Sequence, residues 1–340
     1  MTSTLTLDAR RVDQASPDPT PPRLSLVVPA YNEATRLARG IPKLLEVIPR
    51  DETEIIVVDD GSTDGTAEVA RRHLADVPRR VLLRLPKNSG KGAAVRAGVV
   101  EASGEIIAYM DADMATDPGD LINLVGALRA SPVAVGSRAA AGSVVEDKSP
   151  LRTLMTRTFG LLVASAVDLP MRDTQCGFKA FHGSVAKLLF HGTRVDSFAF
   201  DVEVLTRAAR LGLHMEEVPV RWTEVAGSKV RVVRHSLEML IDVGKTRWRR
   251  ACESPIHGVA LTDTNPWEGA QLLRSCVRPV DTVLSWEGGA LALFPCVPPT
   301  VASHLVRRMA RQVESHRLQH VVLTLETLER SDFRFDKAIA

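Results

Sequence analysis

From Leu24 onward the chain repeats one rhythm: a short, almost wholly apolar run closed by turn residues, then an amphipathic stretch of helix length. The runs are LSLVVPA (24–30), EIIVVDD (54–60), RVLLRL (80–85), EIIAYMDAD (105–113) and VAVGS (133–137), with helix starts near Glu33, Thr63, Lys91 and Asp117 between them. Strands that alternate with helices and lack a polar face suit a sheet covered on both sides. The pattern therefore predicts an α/β fold with a mostly parallel central sheet flanked by helices. In such a sheet, ligands bind beyond the carboxyl ends of the strands. Tyr31-Asn32-Glu33, Asp59-Asp60-Gly61-Ser62 and Asp111-Ala112-Asp113 fall at three such ends. One acidic strand end is ordinary helix capping; three at equivalent places predict polar side chains converging on one crevice.

Bulk properties narrow the partners. A chain of 340 residues is long enough for two domains. Its net charge of +2 gives no reason to expect nucleic acid. Cys176, Cys252, Cys276 and Cys296 lie far apart without a CxxC pair, against a thiolate zinc site or a disulfide framework and in keeping with a reducing cytoplasm. Residues 1–22, rich in proline and charge and without a signal-like apolar run, read as a disordered tail. No uncharged apolar stretch reaches spanning length, so any membrane contact is expected to be peripheral.

Two nucleotide-binding motifs fail on inspection. KNSGKGAAV partly resembles a P-loop, but Leu85 stands where the first glycine belongs, and Gly92 follows Lys91 where Ser or Thr is needed. No GxGxxG follows the first strand, so the phosphate turn of a dinucleotide-binding domain is missing.

VVPAYNE, VVDDGSTDGT, NSGKGAAVRAG and DADMATDP, in this order and spacing, resemble the inverting family 2 glycosyltransferases of GT-A fold, whose sheet is Rossmann-like. DTQCGFKAF (173–181), FAFDVEVL (198–205) and EVPVRWTEVAGSKV (217–230) resemble the branch of dolichyl-phosphate β-glucosyltransferases and polyprenyl-phosphate sugar transferases. The resemblance covers about two-thirds of the chain and implies transfer of a hexose, glucose first, from a UDP-sugar. It implies that Pro29, Tyr31, Glu33 and Asp60 line the base and ribose pocket and that Lys91, Asp111 and Ala112 also contact the nucleotide sugar. The leaving nucleoside diphosphate is a polyanion whose charge must be neutralised as the glycosidic bond breaks. Asp113 is the candidate direct ligand for Mg²⁺ or Mn²⁺, hard cations that share oxygen ligands with phosphates, with Asp111 helping to hold the metal or the ribose. Lys91 opens a helix, where its charge and free backbone N–H groups could face the diphosphate. The alternative is a plain surface lysine.

The branch implies a polyprenyl (dolichyl-type) phosphate acceptor. Arg138, Arg152 and Thr156 resemble the two arginines and serine that hold the acceptor phosphate in dolichyl-phosphate mannosyltransferases; Arg157 follows, and Lys229 of the GSK motif could approach when its loop closes. Exposed arginines on a solvated helix are the plain alternative. A phosphate oxygen is ionised near neutral pH and attacks without a strong base. Asp201, otherwise the natural place to look for a base, is then expected to cap the helix 201–211 or touch the donor sugar. TFGLLVASAVDLP (158–170) reads as a core helix or a wall for a prenyl chain, and HSLEMLIDVGKTRWRR (235–250) as an amphipathic element for the cytoplasmic membrane face.

Rival readings are a soluble or glycan hydroxyl acceptor, a non-catalytic sugar-nucleotide-binding protein, and a processive synthase. The last lacks its QxxRW motif, since Val218 stands where glutamine belongs before Arg221-Trp222. The glycosyltransferase domain is assigned to 23–250 and a small α/β unit to 255–330. VRPVDTVLSWEGGALALFPCVPP resembles the hairpin of a GGDEF domain, but Ala290-Leu291 replace its acidic metal-binding pair. That unit would be regulatory or a dimerisation module making a homodimer, or else a simple appendage.

Overall fold

The computed structural model describes residues 9–14, 21–146, 169, 171–191 and 193–223, and beyond them 257–262, 269, 271, 273, 282–286, 289–294 and 319–324. Strands β1 (Arg10–Gln14), β2 (Leu24–Ala30), β3 (Thr53–Asp59), β4 (Arg80–Arg84), β5 (Ile106–Met110), β6 (Val133–Ser137), β8 (Phe178–His182) and β9 (Met215–Pro219) build one eight-stranded sheet. Its order is β1-β4-β3-β2-β5-β8-β6-β9. β4, β3, β2, β5, β6 and β9 run one way, and only β1 and β8 oppose them. This is the mainly parallel α/β sheet that the strand pattern predicts.

The uniform apolarity of the strands has its cause in the two layers around them. Side chains alternate between faces, so Val27, Ile56, Val58, Ile107 and Tyr109 enter one core while Leu26, Val28, Ile55, Val57 and Ala108 enter the other. Against the first face pack α3 (Lys91–Glu101), α5 (Gly183–Phe190) and α6 (Phe200–Arg210). Against the second pack α1 (Ala34–Val47), α2 (Thr66–His73) and α4 (Leu121–Ala127), the last entered through a 3-10 turn at Pro118–Asp120. Two short strands, β7 (Val144–Glu146) and β10 (Arg221–Thr223), pair in parallel beside the main sheet.

The chain winds from β2 through β3 to β4 on one side, then returns to lay β5 on the other side of β2. A crevice opens where the winding reverses, at the carboxyl ends of β2 and β5. Tyr31 and Asp111 are the first residues past those two ends.

Three expectations need correction. The tail 1–22 is not wholly disordered: β1 pairs antiparallel with β4. Val12, its one aliphatic residue, is half exposed, so backbone pairing and the Asp13–Arg80 and Arg11–Glu101 ion pairs hold it. It covers what would be an open sheet edge. β5 stops at Met110, and Asp111–Asp113 lie in a turn closed by Met114 N–H donating to Asp111 O at 3.1 Å. The helix expected near Thr63 begins at Thr66, because Asn32 Oδ1 accepts the Thr63 N–H at 2.8 Å and Asp64 Oδ1 accepts that of Thr66 at 2.9 Å.

Farther along, β11 (His257–Thr262), β12 (Thr282–Trp286), β13 (Gly289–Phe294) and β14 (Gln319–Thr324) form a separate antiparallel sheet in the order β12-β13-β11-β14. β12 and β13 are the hairpin expected from the sequence, with Ala290 and Leu291 within β13.

Candidate active site

The site is an ionic cluster around the turn after β5. Lys91 Nζ, the first residue of α3, lies 2.5 Å from Asp111 Oδ1. Burial alone would push the Lys91 ammonium pKa down; Asp111 and Asp201 outweigh it and hold the value above that of an ordinary lysine. Asp113 accepts the Ala115 N–H on Oδ1 at 3.0 Å. Its carboxyl is pushed up by burial and by the neighbouring Asp111 charge. Two carboxylates held together in partial burial against one lysine leave a demand for further positive charge.

Backbone geometry holds these groups in place. Asp111 N–H donates to Gly177 O at 3.2 Å. A Cβ on Gly177 would overlap the Asp111 carboxylate itself, so only glycine lets that side chain lie against the strand leading into β8. The turn beyond Asp113 is tied to β10 by Asp117 N–H to Arg221 O and Thr223 N–H to Ala115 O, both 2.9 Å. Among the described residues, the two non-glycine residues with left-handed backbone are Asn32 (φ 54°) and Met114 (φ 51°), one after Tyr31 and one after Asp113. Such conformations concentrate at sites whose surroundings over-determine them.

Three amides at and just before the start of α3 are already engaged within the chain, so the free N–H groups expected to face the diphosphate do not include them. Ser89 N–H and Gly90 N–H donate to the two Asp60 oxygens at 2.7 and 2.9 Å, and Gly92 N–H donates to Asp196 O at 2.8 Å. Gly90 and Gly92 are small because the 195–196 backbone presses against them: a Cβ on either would overlap a carbonyl oxygen there. Asp60 thus fills an anion position that this chain supplies to itself.

Burial pushes the Asp60 carboxyl up to about 6 despite the two amides. With the folded-state pKa above the unfolded one, its contribution to stability is complete below the unfolded value and is lost as the pH rises through about 6. Between the ordinary value of 3.8 and about 6, wild type should lose stability relative to Asp60→Asn, read as a narrowing or reversing gap in urea midpoint. A gap that stays constant across that window would refute this account.

Of the other expected pocket residues, Pro29 and Ala112 are buried and Tyr31 is 39% exposed at the crevice. Glu33 turns to Arg36, whose Nη1 meets both its oxygens at 2.8 and 2.9 Å. Asp201 does not cap its helix: α6 starts at Phe200 with Ala199 at the cap, and Asp201 faces inward at 2% exposure. It accepts from Lys179 Nζ at 2.7 Å and from the Tyr109 hydroxyl. Lys179 Nζ also donates to Cys176 O at 2.7 Å. No local sequence pattern marks a role for Lys179, Tyr109 or Gly177, although the motif DTQCGFKAF holds the first and last.

Arg138 is already engaged. Its Nε and Nη2 donate to Asp173 at 2.7 and 2.8 Å, and its guanidinium lies 5.7 Å from the Trp222 ring centroid. Burial would raise the Asp173 carboxyl, but Arg138 prevails and holds it at about 2. A phosphate reaching Arg138 must therefore use Nη1 or the second Nη2 hydrogen, or displace Asp173. Arg152, Thr156, Arg157 and Lys229 lie outside the described residues, as do nearly all of 158–170 and the whole of 235–250. Among the described residues no helix is long and apolar enough to cross a membrane.

Comparison with known proteins gives this geometry a context. Residues 25–190 match the model of glycosyl transferase family 2. A dolichyl-phosphate beta-glucosyltransferase of Trichomonas vaginalis, ALG5A, is 36% identical over 228 residues, covering 63% of this chain and 70% of that protein. The protein of that name from Drosophila melanogaster is 41% identical over 226 residues, 61% of this chain and 69% of that one. The human one is 37% identical over 227 residues, with the same coverage of each chain. Among solved structures, glucosyl-3-phosphoglycerate synthase from Mycobacterium tuberculosis, in complex with Mn²⁺, UDP and phosphoglyceric acid, aligns with a TM-score of 0.52 at 21% identity. That alignment covers 68% of this chain and 79% of the synthase, a likeness of fold.

Proposed function

The chain belongs to glycosyl transferase family 2, with the GT-A fold, and on that premise we propose that it moves a hexose, glucose first, from a UDP-sugar to polyprenyl phosphate with inversion at the anomeric carbon. The observation that carries this reading is the cluster of Lys91, Asp111 and Asp113 at the reversal point of the sheet. It supplies the charges needed to hold and release a nucleoside diphosphate. The names of the relatives support the acceptor and the sugar.

The donor set suits Mg²⁺ or Mn²⁺. Asp111 and Asp113 offer hard oxygens, and the mutual repulsion that raises Asp113 is what a cation would relieve. Among the described residues no group of three or more His, Cys, Asp or Glu could hold a metal alone. That fits an ion of this type, which completes its shell with diphosphate oxygens and water. When bound, the ion would neutralise charge on the leaving diphosphate. Tyr31, at the end of β2, offers an exposed ring to the base, and Lys91 is placed to meet phosphate oxygens.

Asp201 bears on the acceptor. Buried and already paired with Lys179, it is poorly placed to take a proton from an incoming hydroxyl. An ionised phosphate requires no such service. Arg138 remains the described candidate for holding that phosphate, with Arg152, Thr156 and Lys229 as partners. We assign 23–250 to the catalytic unit, peripheral at the cytoplasmic membrane face, and 255–330 to a second unit of regulatory or dimerising role.

A donor-by-acceptor panel with mass analysis of butanol-extractable product tests the proposal. UDP-glucose with polyprenyl phosphate should yield a hexosyl-phosphoryl lipid in the β configuration. Label appearing only in a sugar hydroxyl product, or none transferred from any UDP-sugar, would overturn it.

A further inference from the structure

Lys91 and the acidic pair present a conflict of charge. Its ammonium stands 2.5 Å from Asp111 Oδ1 and senses Asp113 and Asp201 as well. A divalent cation on the same Asp111 carboxylate would bind at about 2.0–2.1 Å from oxygen. Ammonium and cation would then sit within about 4–5 Å of each other, where two positive centres in a partly buried site repel strongly. One must move.

The backbone on both sides of this ion pair is pinned. Asp111 is held at its backbone by its N–H bond to Gly177 O, and its carboxylate occupies the space that a Cβ on Gly177 would fill. The start of α3 is held by Asp60 through Ser89 and Gly90 and by Asp196 through Gly92. The Lys91 stem is a flexible four-carbon chain. Its Nζ lies 5.9 and 5.8 Å from the ring centroids of Phe198 and Phe200, which flank it on the α6 side.

We propose that Lys91 is the resident counter-ion of the acidic pair and is exchanged for the divalent cation when the donor diphosphate arrives, so that cation and nucleotide bind cooperatively. The inference rests on the reading of Asp111 and Asp113 as the cation site. Before the donor binds, Lys91 neutralises Asp111 and keeps affinity for the bare cation low. The diphosphate gives the displaced ammonium a new anionic partner, so the cation enters without leaving a positive charge unpaired. The lysine thereby makes cation loading depend on the donor.

The test is Mn²⁺ binding by equilibrium dialysis, read as the excess of metal on the protein side, for wild type, Lys91→Met and Asp113→Asn, each without UDP and with saturating UDP on both sides of the membrane. Without UDP, Lys91→Met should bind Mn²⁺ about tenfold more tightly than wild type, the size expected for releasing one part-buried ion pair. UDP should tighten Mn²⁺ binding more in wild type than in Lys91→Met. Equal or weaker Mn²⁺ binding by Lys91→Met without UDP would overturn the exchange while leaving the cation site standing. Wild type that binds no Mn²⁺ even with UDP, or Asp113→Asn that binds as wild type does, would overturn the cation site and the exchange with it.

Discussion

Lys179→Met should destabilise the protein by about 3–5 kcal/mol, the cost of leaving a buried charge unpaired. Lys179 is fully buried in β8 and Asp201 is 2% exposed on α6, and their charged atoms are 2.7 Å apart. The lysine also donates to Cys176 O and lies 5.6 Å from the Tyr109 ring centroid, while Tyr109 donates to the same Asp201. Removing the cation leaves a carboxylate in a core of aromatic rings with one hydroxyl for company. Removing both charges is far cheaper, because a neutral pair of similar volume often replaces a buried ion pair without loss. The double variant Lys179→Met, Asp201→Asn should therefore recover most of the deficit in urea denaturation. A double variant as unstable as the single one would show that the lysine acts through packing alone.

That ion pair also marks where sequence reading stops. In FKAFH the lysine interrupts an otherwise apolar strand, so the segment reads as a motif of unknown placement rather than as β8. Its partner lies 22 residues away on a helix whose periodicity says nothing about β8. By contrast, β2 and β6 stand where the sequence puts them, to the residue, because strands covered on both faces must be apolar throughout. β1 escaped notice for the opposite reason. Its partner is the backbone of β4, and backbone pairing imposes little on side chains.

The site divides along the same line. Asp111, Asp113 and Lys91 were legible because their positions at a strand end and a helix start follow from local pattern, and the structure brings Lys91 onto Asp111. The roles of Asp60 and Arg138 depend on partners 29 to 35 residues off, Ser89 and Gly90 for one and Asp173 for the other. No local pattern encodes those contacts. Gly177 is a further case: glycine in DTQCGFKAF reads as a turn, yet it makes room for a carboxylate from another strand end.

Asp113→Asn should lower turnover by about a thousandfold or more while leaving the melting temperature equal to or above that of wild type. Asparagine keeps the side-chain oxygen that accepts the Ala115 N–H at 3.0 Å, so the turn after β5 retains its bond. What disappears is the charge. Burial and Asp111 raise the Asp113 carboxyl above its usual range, so its stabilising contribution, present below the unfolded pKa, is lost as pH rises through the folded value. Above that folded value the ionised side chain costs stability, and the substitution removes that cost. Function and stability are thus expected to move in opposite directions, as happens where a site holds charges for a ligand rather than for the fold. Thermal denaturation and initial rates with UDP-glucose and Mn²⁺ check both halves. A melting temperature that falls along with activity would make Asp113 a structural residue, and full turnover in metal-depleted buffer would remove the cation from the reaction.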